Sequence, residues 1–310
     1  MINGILNIYK EKGYTSFDVV AKLRGILKTK KIGHTGTLDP DAEGVLPVCV
    51  GKATKVCALL TEKDKEYEAV MLLGVTTDTQ DITGTVLDRK SVSMPKETVL
   101  ETIMGFVGES MQIPPMYSAL KVNGRKLCDL AREGITVERK PRRITIDSIR
   151  ITELALPRVR MAVHCSKGTY IRTLCHDIGQ KLMCGACMES LVRTRVSSFV
   201  IEDALRLSEI ERLVASEAKE IPPADWNAGM FSFIEAVDTV FLAYEKAVVA
   251  PEYEKLLYNG NRLFESCFAG IKKSCGRGGL IRVYDTKGEF AGIYQYIPES
   301  NDYRPLKMFL

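Results

Sequence analysis

The sequence predicts an α+β fold, on three observations. Stretches with apolar residues at helical spacing and stretches with alternating apolar residues are interspersed through the 310 residues. Hairpin signals such as Asn123-Gly124 lie between them, which favours antiparallel pairing. Strand and helix patterns do not alternate in the regular order of βαβ units.

Taken in chain order, Thr15 opens a capping-box pattern that closes at Asp18, and Val19, Val20, Leu23, Ile26 and Leu27 follow at helical spacing. This helix runs its basic end into Gly33. After the Gly33–Pro47 stretch, "ATKVCALLTEKDK" reads as a short helix. "EYEAVMLLGVTTDTQDITGTVL" reads as strand, acidic turn and strand, with Tyr67, Ala69, Met71 and Leu73 on one face. "MQIPPMYSALKVNGRKLCDLAREG" holds a Pro-Pro turn, a strand-like piece, the Asn-Gly hairpin and a short amphipathic helix. "RVRMAVHCSKGTYIRTLCHDIGQKL" reads as strand, glycine turn and a helix striped by Ile171, Leu174, Ile178 and Leu182. The pattern loosens between Lys219 and Phe233. Beyond Phe241 a single helix is expected across "LAYEKAVVAPEYEKLLYNG", then short strands around "YDTKGEF", as a small C-terminal domain with β character.

Composition narrows the function classes. With 45% hydrophobic and 26% charged residues, the chain reads as a soluble globular protein of one large domain and a small one. A secretory leader pattern and a run of about 18 apolar residues are both missing, so a cytoplasmic protein without membrane spans is expected. The nine cysteines are an odd number without a leader, which points to reduced thiols. Cys184-Gly-Ala-Cys187 is a lone CxxC without a second pair at zinc-finger spacing. The net charge is only +4, but its distribution is uneven. Lys121–Arg143 carries eight Lys/Arg against three acids, and Lys22, Arg24, Lys28, Lys30 and Lys31 lead into Gly33. Two basic runs, one entering a candidate site, favour a polyanionic substrate.

The densest stretch is "GHTGTLDPDAEGVLP", Gly33 to Pro47. As a calcium loop, Asp39, Asp41 and Glu43 fail because the twelfth position is Val50 rather than a bidentate Glu. As a phosphate loop it fails because six residues separate Gly44 from Gly51 and Ala53 follows Lys52. What remains is a carboxylate, Asp39, projected from a turn stiffened by Pro40 and permitted by Gly36 and Gly44.

At these residues the chain resembles the pseudouridine synthases of the bacterial TruB type, which isomerise one uridine, position 55, in the T-loop of tRNA. "GHTGTLDPDAEGVLPVCVGKATK" resembles their catalytic motif, "KEKGYTSFDVV" their N-terminal motif and "KEYEA" their tyrosine motif. "QIPPMYSALKVNGRKLCDLAREG" resembles their RNA-gripping insertion, and "CSKGTYIRTLCHDIG" with "LVRTRVSSF" their later motifs. The resemblance runs in register over residues 3–200 and is looser beyond.

The resemblance implies a pseudouridine synthase catalytic fold with a mixed, mainly antiparallel sheet over residues 1–240, with 112–143 as the RNA-binding insertion and 241–310 as a small PUA-like domain. It implies Asp39 as nucleophile, Arg172 as the cation paired with it and Tyr67 as the ring stacked on the target uracil, with no metal and no cofactor. The Arg172 cation is expected to keep the Asp39 pKa low. Tyr170 and Leu191 are implied as pocket walls, and His34 as the residue that fills the stack left by the flipped base. Lys12, Gly36, Lys121, Arg125 and Lys126 join them as substrate-binding residues, Gly124 and Gly134 as hinges, and Lys272, Lys273, Arg277 and Arg282 as basic residues suited to RNA contact. A tRNA substrate and a working monomer are expected. Attack at C1′, attack at C6 and a glycal route all stay open, and rival readings are a non-catalytic RNA-binding or tRNA-folding protein and a synthase for another RNA.

Overall fold

The computed structural model describes residues 2–269 and 279–310. Its centre is a nine-stranded sheet whose main path runs Gly4–Lys10, Glu43–Val50, Ala186–Val196, Lys65–Leu73, Arg158–Cys165, Arg142–Ala155 and Gly108–Gln112. Ile32–His34 and Phe199–Val200 pair off this path. Every pairing is antiparallel except a short parallel contact of Glu43 and Gly44 with Val192 and Arg193. The fold is therefore α+β with a mixed, mainly antiparallel sheet.

Both faces of the sheet are covered. Ser16–Ile26 begins with the capping box between Thr15 and Asp18 and buries Val19, Val20 and Leu23. It packs with Leu207–Glu217 over Leu6, Ile8, Leu46 and Val48. Ile171–Lys181 buries Ile171, Leu174 and Ile178 against Tyr67, Ala69, Met71 and Leu73, the alternating face legible in the sequence. At roughly 1.5–3 kcal/mol per buried apolar side chain, these faces hold the sheet's central strands in place.

The chain leaves the sheet at Gln112 and re-enters at Arg142, and these two residues are register partners. The excursion between them holds the hairpin Lys121–Val122 and Arg125–Lys126 and the helix Leu127–Arg132. Asn123 and Gly124 both have positive φ, as a tight two-residue hairpin turn requires.

A second sheet of four strands runs Glu245–Val248, Leu280–Tyr284, Phe290–Ile297 and Asp302–Met308. The single helix expected across "LAYEKAVVAPEYEKLLYNG" is not formed. Glu245–Val248 is a strand parallel to Leu280–Tyr284, and only Glu254–Tyr258 is α-helical. Val248 and Val249 favour extended backbone, and Pro251 cannot continue a helix through its position. Phe309 and Ile293 from this sheet share a core with Ile5, Val45 and Phe241, so the small sheet is packed onto the large one.

Candidate active site

Asp39 stands on a turn tied down from several sides. Pro40 and Asp41 are its central residues, and the Ala42 amide donates to the Asp39 carbonyl at 3.1 Å. The Pro40 carbonyl accepts from the Gly13 amide at 2.9 Å and from Lys10 Nζ at 3.1 Å. The Leu38 amide donates to Ser16 Oγ at 2.9 Å, which joins the turn to the first helix. Gly44, at φ +102°, ends the stretch where a Cβ would stand 2.2 Å from the Arg193 carbonyl oxygen. Only glycine fits there, because the Ala186–Val196 strand passes in contact with the backbone.

Arg172, 5% exposed, faces the 38%-exposed Asp39 carboxylate. Its Nε lies 3.0 Å from Oδ2 and its Nη2 donates to Oδ1 at 3.2 Å, a two-point grip on the carboxylate. The same guanidinium reaches Asp81 Oδ2 at 3.2 Å and donates to the carbonyls of Thr79 and Tyr117. Burial pushes the Asp39 carboxyl above the ordinary range, Arg172 pulls it down, and the Asp81 charge pushes it up again, so the net shift is upward. The expectation of a low Asp39 pKa is thus corrected, since Arg172 divides its charge between two carboxylates in a partly desolvated site.

The carboxylate opens into a cavity of about 330 Å³ lined by Asp39, Lys65, Tyr67, Tyr170, Arg172 and Leu191, among others. Gly36, at φ +144°, is also on this wall. Tyr67 is 9% exposed, and burial pushes its phenol up to about 12. The Tyr170 amide donates to Gln112 Oε1 at 2.9 Å, and Gln112 Nε2 returns a bond to the Tyr170 carbonyl at 3.1 Å. A neighbouring cavity of about 660 Å³ shares Asp39, Arg172 and Leu191, and reaches His34, Lys12 and Lys126. His34 Nδ1 accepts from the Gly36 amide at 3.3 Å, and burial lowers its pKa.

Not every expected residue reaches the site. Lys121 and Arg125 are exposed on the insertion hairpin and line neither cavity, and Arg125 is paired with Glu133. Arg282, read from the sequence as suited to RNA contact or to packing, has a side chain 13% exposed whose Nε donates to the Tyr244 carbonyl at 3.0 Å, so it is committed inside the small sheet. Lys272, Lys273, Arg277 and Cys275 lie outside the described residues. Cys184 and Cys187 are buried free thiols, and no group of metal ligands is found among the described residues.

Several residues came from the structure alone. Asp81 lay among the hydroxyls and acids of a turn, with no spacing that ties it to Arg172. Lys10, 0% exposed, and Gln112, 4% exposed, had no signal because their residue types are seldom buried. Arg193, 2% exposed, follows Leu191 by two and so shares its face in a strand, which strand periodicity was able to reveal.

The carboxylate turn, its arginine and the cavity they line form one site on this α+β fold. The chain matches the TruB family pseudouridylate synthase (N terminal domain) over residues 24–171 and the tRNA pseudouridylate synthase B C-terminal domain over 172–249. It is 55% identical over 318 aligned positions to the tRNA pseudouridine synthase B of Lachnoclostridium phytofermentans, covering 100% of both chains. It is 44% identical to that of Clostridium kluyveri, covering 94% of this chain and 95% of the relative. Among solved structures, it is similar to a chain of a "Cbf5-Nop10-Gar1 Complex" with TM-score 0.73 at 27% identity, covering 99% of this chain and 85% of the other. A chain of an "H/ACA RNP bound to a substrate RNA containing 2'-deoxyuridine" aligns with TM-score 0.71 at 26% identity and the same coverage. The chain belongs to the TruB family of pseudouridylate synthases.

Proposed function

We infer that this protein isomerises uridine to pseudouridine in tRNA, at the T-loop uridine of position 55, after turning that nucleotide out of the loop. The observation that carries the reading is Asp39, fixed on a braced turn, gripped at two points by Arg172 and facing a cavity of nucleoside size. A uridine in a folded loop reaches such a carboxylate only once it is extruded.

In this reading Asp39 is the nucleophile, and Arg172 orients it while holding its charged form available. Tyr67 stacks on the base, with Leu191 under it and Tyr170 beside it. His34 enters the space the base leaves, and Lys12 and Lys126 meet phosphates at the cavity mouth. Lys121 and Arg125 act as outer phosphate contacts on the insertion. Residues 1–240 form the catalytic unit, with 112–143 as its RNA-gripping insertion, and 241–310 form the small PUA-like unit. The enzyme needs no metal or cofactor and works as a monomer in the cytoplasm. Among the described residues no helix is long and apolar enough to cross a membrane.

The test is a T-arm hairpin transcript with its uridines mapped for pseudouridine after incubation in EDTA. Modification at the single T-loop position supports the reading, and modification elsewhere or nowhere overturns it.

A further inference from the structure

Three cations line the cavity beside Asp39, namely Arg172, Arg193 and Lys65. They differ in what already occupies their N–H groups. Arg172 is spent on Asp39, Asp81 and two carbonyls. Arg193 donates Nε to the Val45 carbonyl at 2.7 Å and Nη2 to the Gly36 carbonyl at 3.3 Å, and it also bonds the Tyr67 hydroxyl.

Lys65 is different. It opens the Lys65–Leu73 strand two residues before Tyr67, so the two side chains share one face. It is 6% exposed, and its ammonium donates to the carbonyls of Thr61 at 2.6 Å and Lys63 at 2.5 Å. Among the described residues it has no carboxylate in ion-pair range, and its third N–H has no acceptor. Lys10 is the internal comparison. Also buried, at 0% exposed, it places its three N–H groups on the carbonyls of Glu11, Tyr14 and Pro40, and it lines neither cavity. A buried cation without a carboxylate partner costs several kcal/mol, and at Lys65 only two carbonyls offset it where Lys10 has three.

The isomerisation supplies the missing counter-charge. By any of the three routes, the N1–C1′ bond breaks with its electron pair going to the base. On the C1′ and glycal routes uracil departs as an anion whose charge spreads over N1, O2 and O4, and on the C6 route the base stays bonded to Asp39 with the charge on N1 and O2. C5 then bonds to C1′, the bond to Asp39 breaks where one was formed and frees its carboxylate, the C5 proton leaves and N1 gains a proton, so the product is an isomer of the substrate. Through this sequence the anion must be held in the cavity until C5 meets C1′.

We propose that Lys65 is a further catalytic residue, donating its third N–H to a carbonyl oxygen of the detached uracil and holding that anion until C5 is joined to the sugar. The inference rests on the isomerase reading above. Preorganised donors aimed at developing charge in a partly dry site give some of the largest effects on rate.

The titration of Lys65 makes the test specific. Burial, then the Arg193 charge, lower its pKa to about 8, while Cys165 and Asp64 act in the opposite sense. Cys165, the register partner of Lys65 on the neighbouring strand, and Tyr67 are each pushed up to about 12, and Asp64 is engaged by His164 and Arg195. Lys10 also falls to about 8, so a wild-type profile alone does not separate the two lysines. The experiment compares wild type, Lys65→Met and Lys65→Arg on an unmodified tRNA transcript. It reads the single-turnover rate, the tRNA Kd and kcat/KM from pH 6 to about 9.5. Lys65→Met is expected to slow the single turnover by about 100-fold with Kd changed by less than about threefold. Wild-type kcat/KM is expected to fall above pH about 8, and Lys65→Arg to carry that falling limb upward by about one unit or more. A Met variant within about threefold of wild type, or an Arg variant whose limb stays with wild type, overturns the proposal. If the Met variant fails to fold, the Arg profile decides. Absence of pseudouridine with wild type sinks the isomerase reading itself, whereas normal product with indifferent Lys65 variants sinks only this inference.

Discussion

Arg172 has a shape requirement that a lysine does not meet. Its planar fork spans both oxygens of Asp39 while another edge serves Asp81 and two carbonyls. Arg172→Lys is therefore expected to lower kcat by about 10²–10³ with tRNA affinity little changed, measured by pseudouridine formation and filter binding. Asp81 sets how much of that cation Asp39 receives. The Asp39 carboxyl already titrates above the ordinary carboxylate range, and the proposed reaction uses its ionised form, so activity is expected to rise as pH climbs through its pKa. Asp81→Asn removes a neighbouring negative charge and frees Arg172 for Asp39, and both changes lower that pKa. The acid limb of kcat/KM moves to lower pH, and a limb moved upward contradicts the assignment. These partnerships mark where the sequence stopped being readable. Asp39 was legible because Pro40 and the glycines announced a constrained turn. Asp81 and Gln112 were not, because their partners lie far along the chain and nothing local distinguishes them from solvent-facing polar residues.

Among the elements, the Asp39 turn and the strand beside it stand or fall together. Gly44→Ala places a Cβ 2.2 Å from the Arg193 carbonyl oxygen at a φ of +102°, so the variant is expected to lose more than about 2 kcal/mol, read as a lowered melting temperature. The insertion is held differently. Gly124 and Gly134 have positive φ with nothing within 4 Å of a would-be Cβ, so both permit backbone rotation without a clash. Limited proteolysis is expected to cut within residues 113–141 in the free protein and to be suppressed by tRNA. Equal cutting in both states removes the hinge reading. The capping box of the first helix and the Tyr67 strand face were legible because each is a local pattern. The failed helix after Phe241 shows the limit of that approach. Its first half has apolar spacing compatible with a helix, but a vacant sheet edge along Leu280–Tyr284 offers parallel pairing, and tertiary contact overrides local spacing.

The two sheets meet through aromatic packing rather than through a loose linker. Phe309 stacks on Phe290 at 5.2 Å between ring centroids, and Phe241 approaches both. Phe309→Ala is expected to cost about 3 kcal/mol and to lower the denaturant midpoint of the whole chain in one transition. Two separated transitions in the wild type contradict the shared core. That joint core was hidden from the sequence, since it unites residues near both ends of the chain with no periodicity to link them. The general arrangement was nevertheless foreshadowed by charge. Basic residues at 22–31 and 121–143 flank the catalytic turn in sequence, and in the structure the insertion bearing the second group contributes Lys126 and Arg132 to the cavity at Asp39. A tRNA enzyme of this design loses affinity steeply with salt, because phosphate contacts release counterions.

The central claim is that Asp39 makes this protein a uridine isomerase. It is tested most directly by tritium release from an unmodified tRNA transcript labelled at C5 of uridine, in EDTA, for wild type and Asp39→Asn. The account predicts release equivalent to one site per tRNA with wild type and none with Asp39→Asn, while both bind tRNA alike. Release by both proteins contradicts the role of Asp39, and release by neither, despite binding, contradicts the isomerase.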